Sequence, residues 1–241
     1  MDMSLRFGGF SDRDATLDFY LRVNSAIQPG SVVLDLGAGR GGWADTAGPF
    51  KSSVLMLRGK AKEVIAADID PVVLQNRNCD RAVLIENGRV PLEDGSVDLI
   101  VSDFVLEHVS DPASFVSEVH RLLRPGGLFC ARTPHHLHYI AVLSRLVPSR
   151  MEDALLSRAQ PGRKSEDVFP KVFRMNSPAA LNRLFAGWED FTFVYRTEPS
   201  YHFGSRFVLA ALDFLHRIMP AAFSGSLMVF KRKSQGATAQ G

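Results

Sequence analysis

The residues of this chain best suited to chemistry are carboxylates that close apolar runs, and one of them adjoins a glycine turn. "VLDLGAGRGG" sets Asp35 inside an apolar run and puts glycine at positions 37, 39, 41 and 42. "EVIAAD" ends on Asp68, "RAVLIE" on Glu86 and "VDLIVSD" on Asp103. Gly37 and Gly39 let a backbone pass close beneath a ligand, and Gly41 or Gly42 lets the next helix pack tightly. Gly37, Gly39 and Gly42 satisfy GxGxxG, which suits a dinucleotide, but a carboxylate at position 35 repels a pyrophosphate and welcomes an ammonium. Asp68 can accept from both hydroxyls of a ribose, and Glu86 from the exocyclic amine of adenine. An amino acid, a sugar and a base at three strand ends describe a nucleoside that carries an amino acid.

The second set of candidates is histidine: His108 in "LEHVSDP", and His135, His136 and His138 in "TPHHLH". A positioned imidazole serves an acceptor that must lose a proton. His108 also reads as a structural histidine bonded to backbone, and His135 and His136 as loop polar residues. "HHLH" brings at most two imidazoles together and offers no third ligand nearby, so no metal is expected. Cys79 and Cys130 form no CxxC pair, and no disulfide framework is expected, which suits a reducing cytoplasm.

These side chains need a scaffold. The chain has 241 residues, 46% hydrophobic and 22% charged, with a formal net charge of +2. That is an ordinary globular composition with room for one domain, and it carries no basic field that would argue for nucleic acid. No apolar run approaches the ~18 residues of a membrane span, and the N-terminus lacks a signal-peptide core, so a cytoplasmic protein is expected. Nearly continuous apolar runs at 32–36, 63–68, 81–86, 97–103 and 127–132 read as strands buried on both faces, hence a parallel sheet. Ser11 with Asp14 signals a helix start, Pro71 opens "PVVLQNR", Asp111-Pro112 opens an amphipathic helix that stops at "RPGG", and Ser177-Pro178 caps another through Phe185. The link from Trp43 to Glu63 is long enough for an extra turn of helix.

Two more strands are expected at 191–197 and 226–233. The alternation gives an α/β doubly wound fold. Residues 1–30 read as a helical lead-in, 135–175 as a lid or acceptor-side insertion, and 234–241 as a disordered tail. In the helix over 205–219, Arg206, Asp213, His216 and Arg217 share one narrow stripe and the rest is apolar. It reads as a core-covering helix, or alternatively as a peripheral membrane or dimer contact.

At this point the residues resemble the class I S-adenosylmethionine-dependent methyltransferases, in their bacterial small-molecule branch. "VLDLGAGRG", "VIAADIDPVVL", "RVPLEDGSVDLIVSDFVLEHVSDP" and "LLRPGGLFCARTP" resemble four family motifs in order and spacing over about residues 33–133. The resemblance implies a Rossmann-like, mostly parallel seven-stranded sheet of order 3-2-1-4-5-7-6 with the last strand antiparallel. It implies S-adenosyl-L-methionine as cofactor and S-adenosyl-L-homocysteine as product. It also implies roles: Asp35 toward the ammonium; Gly37, Ala38, Gly39 and Gly41 under the methionine portion; Asp68 on the ribose. Ile69 would lie against adenine, Glu86 and Asn87 at the base edge, and Asp103 and Phe104 beside the methyl donor. The third strand departs from the family's Asp-plus-small ending: here it is Glu86-Asn87-Gly88.

The implied reaction moves a methyl group to an oxygen, nitrogen or carbon of a small-molecule acceptor, with His135, His136 or His108 as base where one is needed. No tract of basic and aromatic residues suggests a nucleic-acid groove. Two other functions remain open on the sequence: a catalytically silent cofactor-binding scaffold, and a nicotinamide-dependent oxidoreductase. The latter wants its acid about 20 residues beyond the turn, nearer than Asp68.

Overall fold

A computed structural model describes residues 9–41, 48–139, 141–142, 171–199 and 205–235. Eight strands form one sheet: β1 (Val32–Leu36), β2 (Glu63–Asp68), β3 (Arg81–Leu84), β4 (Val97–Asp103), β5 (Leu123–Pro134), β6 (Glu189–Asp190), β7 (Phe193–Arg196) and β8 (Gly225–Arg232). Their order is β3-β2-β1-β4-β5-β8-β6, with β7 also paired to β8. β1 to β5 run parallel; β8 runs antiparallel to β5, and β6 and β7 run antiparallel to β8. The expected order and antiparallel closing strand are present. The count is eight rather than seven because a two-residue strand, β6, precedes the strand expected over 191–197, which is found as β7; between them the Thr192 amide turns to Asp190 Oδ1 at 2.9 Å.

Strand alternation divides the core into two layers. On one face Val33, Val64, Ala66, Leu99, Val101 and Cys130 meet α1 (Ala15–Ala26) and α2 (Pro49–Leu55) through Phe19, Tyr20, Val23, Val54 and Leu55. On the other, Leu34, Ile65, Ile100, Phe129 and Val229 meet α3 (Pro112–Leu122) and α4 (Pro178–Leu184) through Val116, Val119, Leu122 and Leu181. α5 (Arg206–Ile218) and α6 (Ala221–Ser224) precede β8. Cys79 and Cys130 are buried free thiols.

Three local expectations are corrected. α1 is capped by Asp14, not Ser11: Asp14 Oδ1 accepts from the Thr16 and Leu17 amides at 3.1 and 2.9 Å. Pro71 opens only a 3-10 turn, Pro71–Gln75, because Asn76 leaves the helical path and turns inward. β5 begins at Leu123 and not at 127: the helix stops at Leu122, just before "RPGG" as expected, but that stretch already lies within the strand. α2 supplies the extra helix expected between Trp43 and Glu63. Most of the insertion expected over 135–175, the first eight residues and the tail from 236 lie outside the described residues.

Candidate active site at the carboxyl ends of the strands

The sheet register brings the acids together. Asp35 on β1 is aligned with Ala66 on β2 and with Val101 on β4. Asp68 and Asp103 each lie two residues farther along, so the two-residue period puts all three on one face, at neighbouring strand ends. Their proximity registers in protonation. Burial, then the charges of Asp103 and Asp68, push the Asp35 carboxyl up to about 7. Asp103 has its own cation: Arg132 Nε and Nη2 each donate to it at 2.8 Å, and Arg132 Nη1 donates to Thr16 Oγ1 at 2.7 Å. The charges acting on Asp35 are both acidic. Tyr20, from α1, meets Asp103 and Asp35, and burial and Asp103 hold its phenol well above its usual range.

The glycine turn is fastened from below. The Gly37 and Ala38 amides donate to Ala67 O at 2.7 and 3.2 Å. Asp68 takes the Gly39 amide on Oδ2 at 2.8 Å and the Asp70 amide on Oδ1 at 3.0 Å, which leaves each oxygen a further lone pair. Gly37 has φ +82°, and a Cβ there would lie 2.3 Å from Val105 Cγ2. Gly39, at φ +51°, would meet nothing within 4 Å, so its side of the turn is open. Asn76 Nδ2 donates to Gly39 O at 3.1 Å, and Asn78 Nδ2 donates to Gly41 O. A Cβ at Gly41 would lie 2.3 Å from Asn76 Oδ1. Both asparagines are clamps that the sequence reading missed. Their signal is the stretch "NRN", which it took for the continuation of a helix.

Ile69 stands 61% exposed beside Asp68 and offers an apolar wall. Phe104 is 43% exposed and has φ +56°, a conformation that costs a side chain with a Cβ. The Arg132 guanidinium lies 4.5 Å from the centre of its ring. Glu86 and Asn87 are exposed. The Glu86 and Arg89 amides exchange bonds with each other's carbonyls at 3.2 and 2.9 Å, and Asn87 and Gly88 take φ +52° and +73°. That is an Asn-Gly two-residue turn, which ends β3 two residues before Glu86. Asn87 therefore has a turn-forming task.

The histidines separate. His135 is 5% exposed; its Nδ1 accepts from the Leu137 amide at 3.1 Å, and its ring also bonds the Ala222 carbonyl. With both nitrogens engaged, it is a structural histidine. His136 sits 4.6 Å away, ring centre to ring centre, and its Nδ1 lies 3.1 Å from Asn176 O. Because that partner is a carbonyl, Nδ1 carries the proton and Nε2 the lone pair. His108 is half-buried at the end of a 3-10 turn, Leu106–His108. Burial, then His216 and His135, push His138 down to about 4.

The group turned inward in "LEH" is Glu107, which the sequence reading passed over. It is 4% exposed, accepts from Thr133 Oγ1 at 2.8 Å, and is pushed by burial up to about 7. Asn176 Nδ2 donates to Thr133 Oγ1 at 2.6 Å, and the Val172 and Phe173 amides donate to Glu107 O. A buried polar network thus ties the end of β4 to the end of β5 and to the segment before α4. Among the described residues no group of three or more His, Cys, Asp or Glu side chains is placed to hold a metal. Nor is any described helix long and apolar enough to cross a membrane.

A desolvated carboxyl pressed by two other acids, with no cation acting on it among the described residues, beside an open glycine turn, fits a ligand bearing an ammonium. The comparisons agree with that chemistry. Residues 34–131 match a family model described as "Methyltransferase domain". The chain is 37% identical over 114 residues to a "Probable S-adenosylmethionine-dependent methyltransferase" of Mycolicibacterium smegmatis, covering 46% of this chain and 40% of that one. It is 29% identical over 131 residues to the dimethylglycine N-methyltransferase of Parasynechococcus marenigrum, covering 50% and 44%. The chain spans less than half the length of these curated relatives. Among solved structures, the geranyl diphosphate C-methyltransferase of Streptomyces coelicolor A3(2), in complex with Mg2+, geranyl-S-thiolodiphosphate and S-adenosyl-L-homocysteine, superposes with a TM-score of 0.56 at 15% identity. The match covers 91% of this chain and 75% of that one, a likeness of fold.

Proposed function

We propose that this chain, whose residues 34–131 match a methyltransferase-domain model, is a class I S-adenosylmethionine-dependent methyltransferase that transfers a methyl group from S-adenosyl-L-methionine to a small-molecule acceptor. The observation that carries the reading is Asp35, a carboxyl pushed up to about 7 by burial and two neighbouring acids, at the edge of a glycine turn. A cationic amino-acid group is the partner that relieves it.

When bound, the cofactor supplies a methyl group already activated on a positively charged sulfur. Asp35 would hold the ammonium. Asp68, with one lone pair of each oxygen spent on an amide, would accept from the ribose hydroxyls with the others. Ile69 would cover one face of the base and Glu86 would accept from its amine. Phe104, pinned under Arg132, would wall the reacting end and keep water out, and the Asp103–Arg132 pair would hold that wall in place. Alignment of this kind can supply up to roughly 7–11 kcal/mol of the barrier.

His136 is the base this geometry favours, since its Nδ1–H is anchored to Asn176 O and its Nε2 is left to receive an acceptor's proton. A small acceptor is supported by two of the similar proteins, named for methyl transfer to dimethylglycine and to geranyl diphosphate.

The test is thermal shift and calorimetric titration with S-adenosyl-L-homocysteine on the wild type and on Asp35→Asn and Asp68→Asn, followed by turnover of methyl-labelled cofactor with small amine and hydroxyl acceptors. Stabilisation of the wild type that both variants weaken supports the reading. Stabilisation by NADH, with no response to S-adenosyl-L-homocysteine, overturns it.

A further inference from the structure

α5 is attached to the protein the wrong way round for a core-covering helix. Two of its polar side chains, Asp213 and His216, meet the protein, while Arg206 and Arg217 stand exposed. Asp213 pairs with Arg13 and, at 2.9 Å, with Arg217. His216 is 1% exposed, with Nδ1 2.9 Å from the Thr197 carbonyl oxygen. The apolar stripe faces out: Phe207 is 88% exposed and Phe214 and Ile218 are each 62% exposed, with the exposed Ala211 between them. At about 100° per residue these four fall within about 60° of the helix circumference, and they run for about 17 Å along it. Leu215 and Val208 widen the stripe on one side. On the other side stand the exposed Arg206 and Arg217, about 20° apart.

We propose that this face of α5 rests on an anionic lipid surface. A lone exposed phenylalanine needs no explanation, but a continuous stripe of Phe207, Phe214 and Ile218 does. The helix bears one acid, Asp213, whose half-buried carboxylate is paired with Arg13 and Arg217. What it shows to the outside is therefore aromatic, aliphatic and cationic, the pattern of a helix that lies in a lipid headgroup layer. The same charges disfavour a second copy in this position: an antiparallel two-fold pairing of the stripes sets Arg206 of one chain against Arg217 of the other. α5 also lies next to the acceptor side of the proposed site, since the His216 ring is 5.4 Å from Tyr139 and 6.4 Å from His138, centre to centre. A surface-docked α5 thus sets the region just after His136 toward the membrane, whatever reaction the site performs.

Co-sedimentation of the full chain with vesicles tests this, using phosphatidylcholine alone and phosphatidylcholine mixed with phosphatidylserine. The wild type is expected to partition at least tenfold more strongly onto the anionic vesicles. The outward-facing pair Phe207→Ser and Phe214→Ser should lose at least tenfold of that binding, and Arg206→Glu at least fivefold, both with unchanged circular dichroism. Response to S-adenosyl-L-homocysteine should be the same in all three proteins, which separates this proposal from the functional reading. Equal retention of wild type and double variant on anionic vesicles overturns the proposal. So does a wild type that stays in the supernatant, including the case where sedimentation velocity shows a dimer that the double variant abolishes, for the stripe then joins copies of this chain.

Discussion

The two halves of the candidate site are built by different means. In the cofactor half, at the ends of β1, β2 and β4, the acids are positioned by strand register and the turn by backbone amides: Gly37 and Ala38 on Ala67 O, Gly39 and Asp70 on Asp68. In the acceptor half, at the end of β5, side chains far apart in sequence position one another. Thr133 bridges Glu107 and Asn176, and Asn176 O anchors His136. A half built around a backbone turn fails when that backbone is obstructed. A side-chain-built half fails residue by residue. Substitutions in each half should therefore differ in kind.

The largest effect is expected in the acceptor half. If the acceptor must lose a proton, His136→Ala should lower turnover by ~10²–10⁴-fold with cofactor affinity intact. His135→Asn should do the reverse, sparing turnover per folded molecule and lowering the melting temperature, because both ring nitrogens of His135 are bonded in the interior. Steady-state kinetics beside thermal melts decide this. Equal losses of turnover in the two variants would merge roles that the geometry keeps apart.

In the cofactor half the sharpest contrast is between two glycines. Gly37→Ala forces a positive φ and a contact with Val105, for a loss of about 2–4 kcal/mol and of most cofactor binding. Gly39→Ala faces open space, so its folding cost is only the ~1–2 kcal/mol of the backbone conformation. Its loss should appear chiefly as weaker binding of S-adenosyl-L-homocysteine, since the new methyl would occupy the open side of the turn. Chemical denaturation and calorimetry on both variants separate the two.

Glu107 supplies a prediction in pH. Its folded-state carboxyl, at about 7, stands above the ordinary value of 4.5, so the protonated form is the one the fold prefers. That contribution is fully present below about pH 4.5 and declines as pH rises to about 7, by up to ~1.4 kcal/mol per pH unit. Glu107→Gln removes the decline. The variant should gain on the wild type across that window and hold a constant lead above it, when denaturation midpoints are compared from pH 5 to 8. A lead that does not grow with pH would mean that Thr133 meets an ionised carboxylate.

The same contrast governs what the sequence discloses. Strand ends, acids and glycine turn are all local: apolar runs of strand length mark β1, β2 and β4, and the residue that closes each run is read directly. The order of the sheet followed from the family resemblance alone. What was not legible depended on contacts made across the chain. Asn76 and Asn78 look like the end of a helix until their side chains are seen on the carbonyls of Gly39 and Gly41. Glu107 looks like a helix-surface acid until Thr133 and Asn176 enclose it. α5 is amphipathic as expected, yet periodicity alone cannot say which residues face the protein, and here Asp213 and His216 do, because Arg13 and the Thr197 carbonyl wait beneath them. Asn87-Gly88 carried a turn signal strong enough to foresee, and it was read for ligand contact instead.

The finest test of the comparison is Asp35→Asn, where binding and stability should move in opposite directions. In the free protein the Asp35 carboxyl is raised to about 7 by burial and by Asp103 and Asp68. Its contribution to folding is therefore present below about pH 4 and lost as pH climbs through 7. The amide has no charge to press against its neighbours, so the variant should melt higher than the wild type at pH 8 and lose that advantage toward pH 4. A bound ammonium instead requires the ionised form. Affinity of the wild type for S-adenosyl-L-homocysteine should fall by up to tenfold per pH unit below about 7 and level off above it, while the variant binds more weakly at pH 8 and shows no such slope. Calorimetric titrations at pH 6, 7 and 8 measure both curves. A wild type whose affinity is flat across this range would show that Asp35 is not the group that meets the ligand's charge, and the cofactor half would then owe its specificity to Asp68 and the backbone turn.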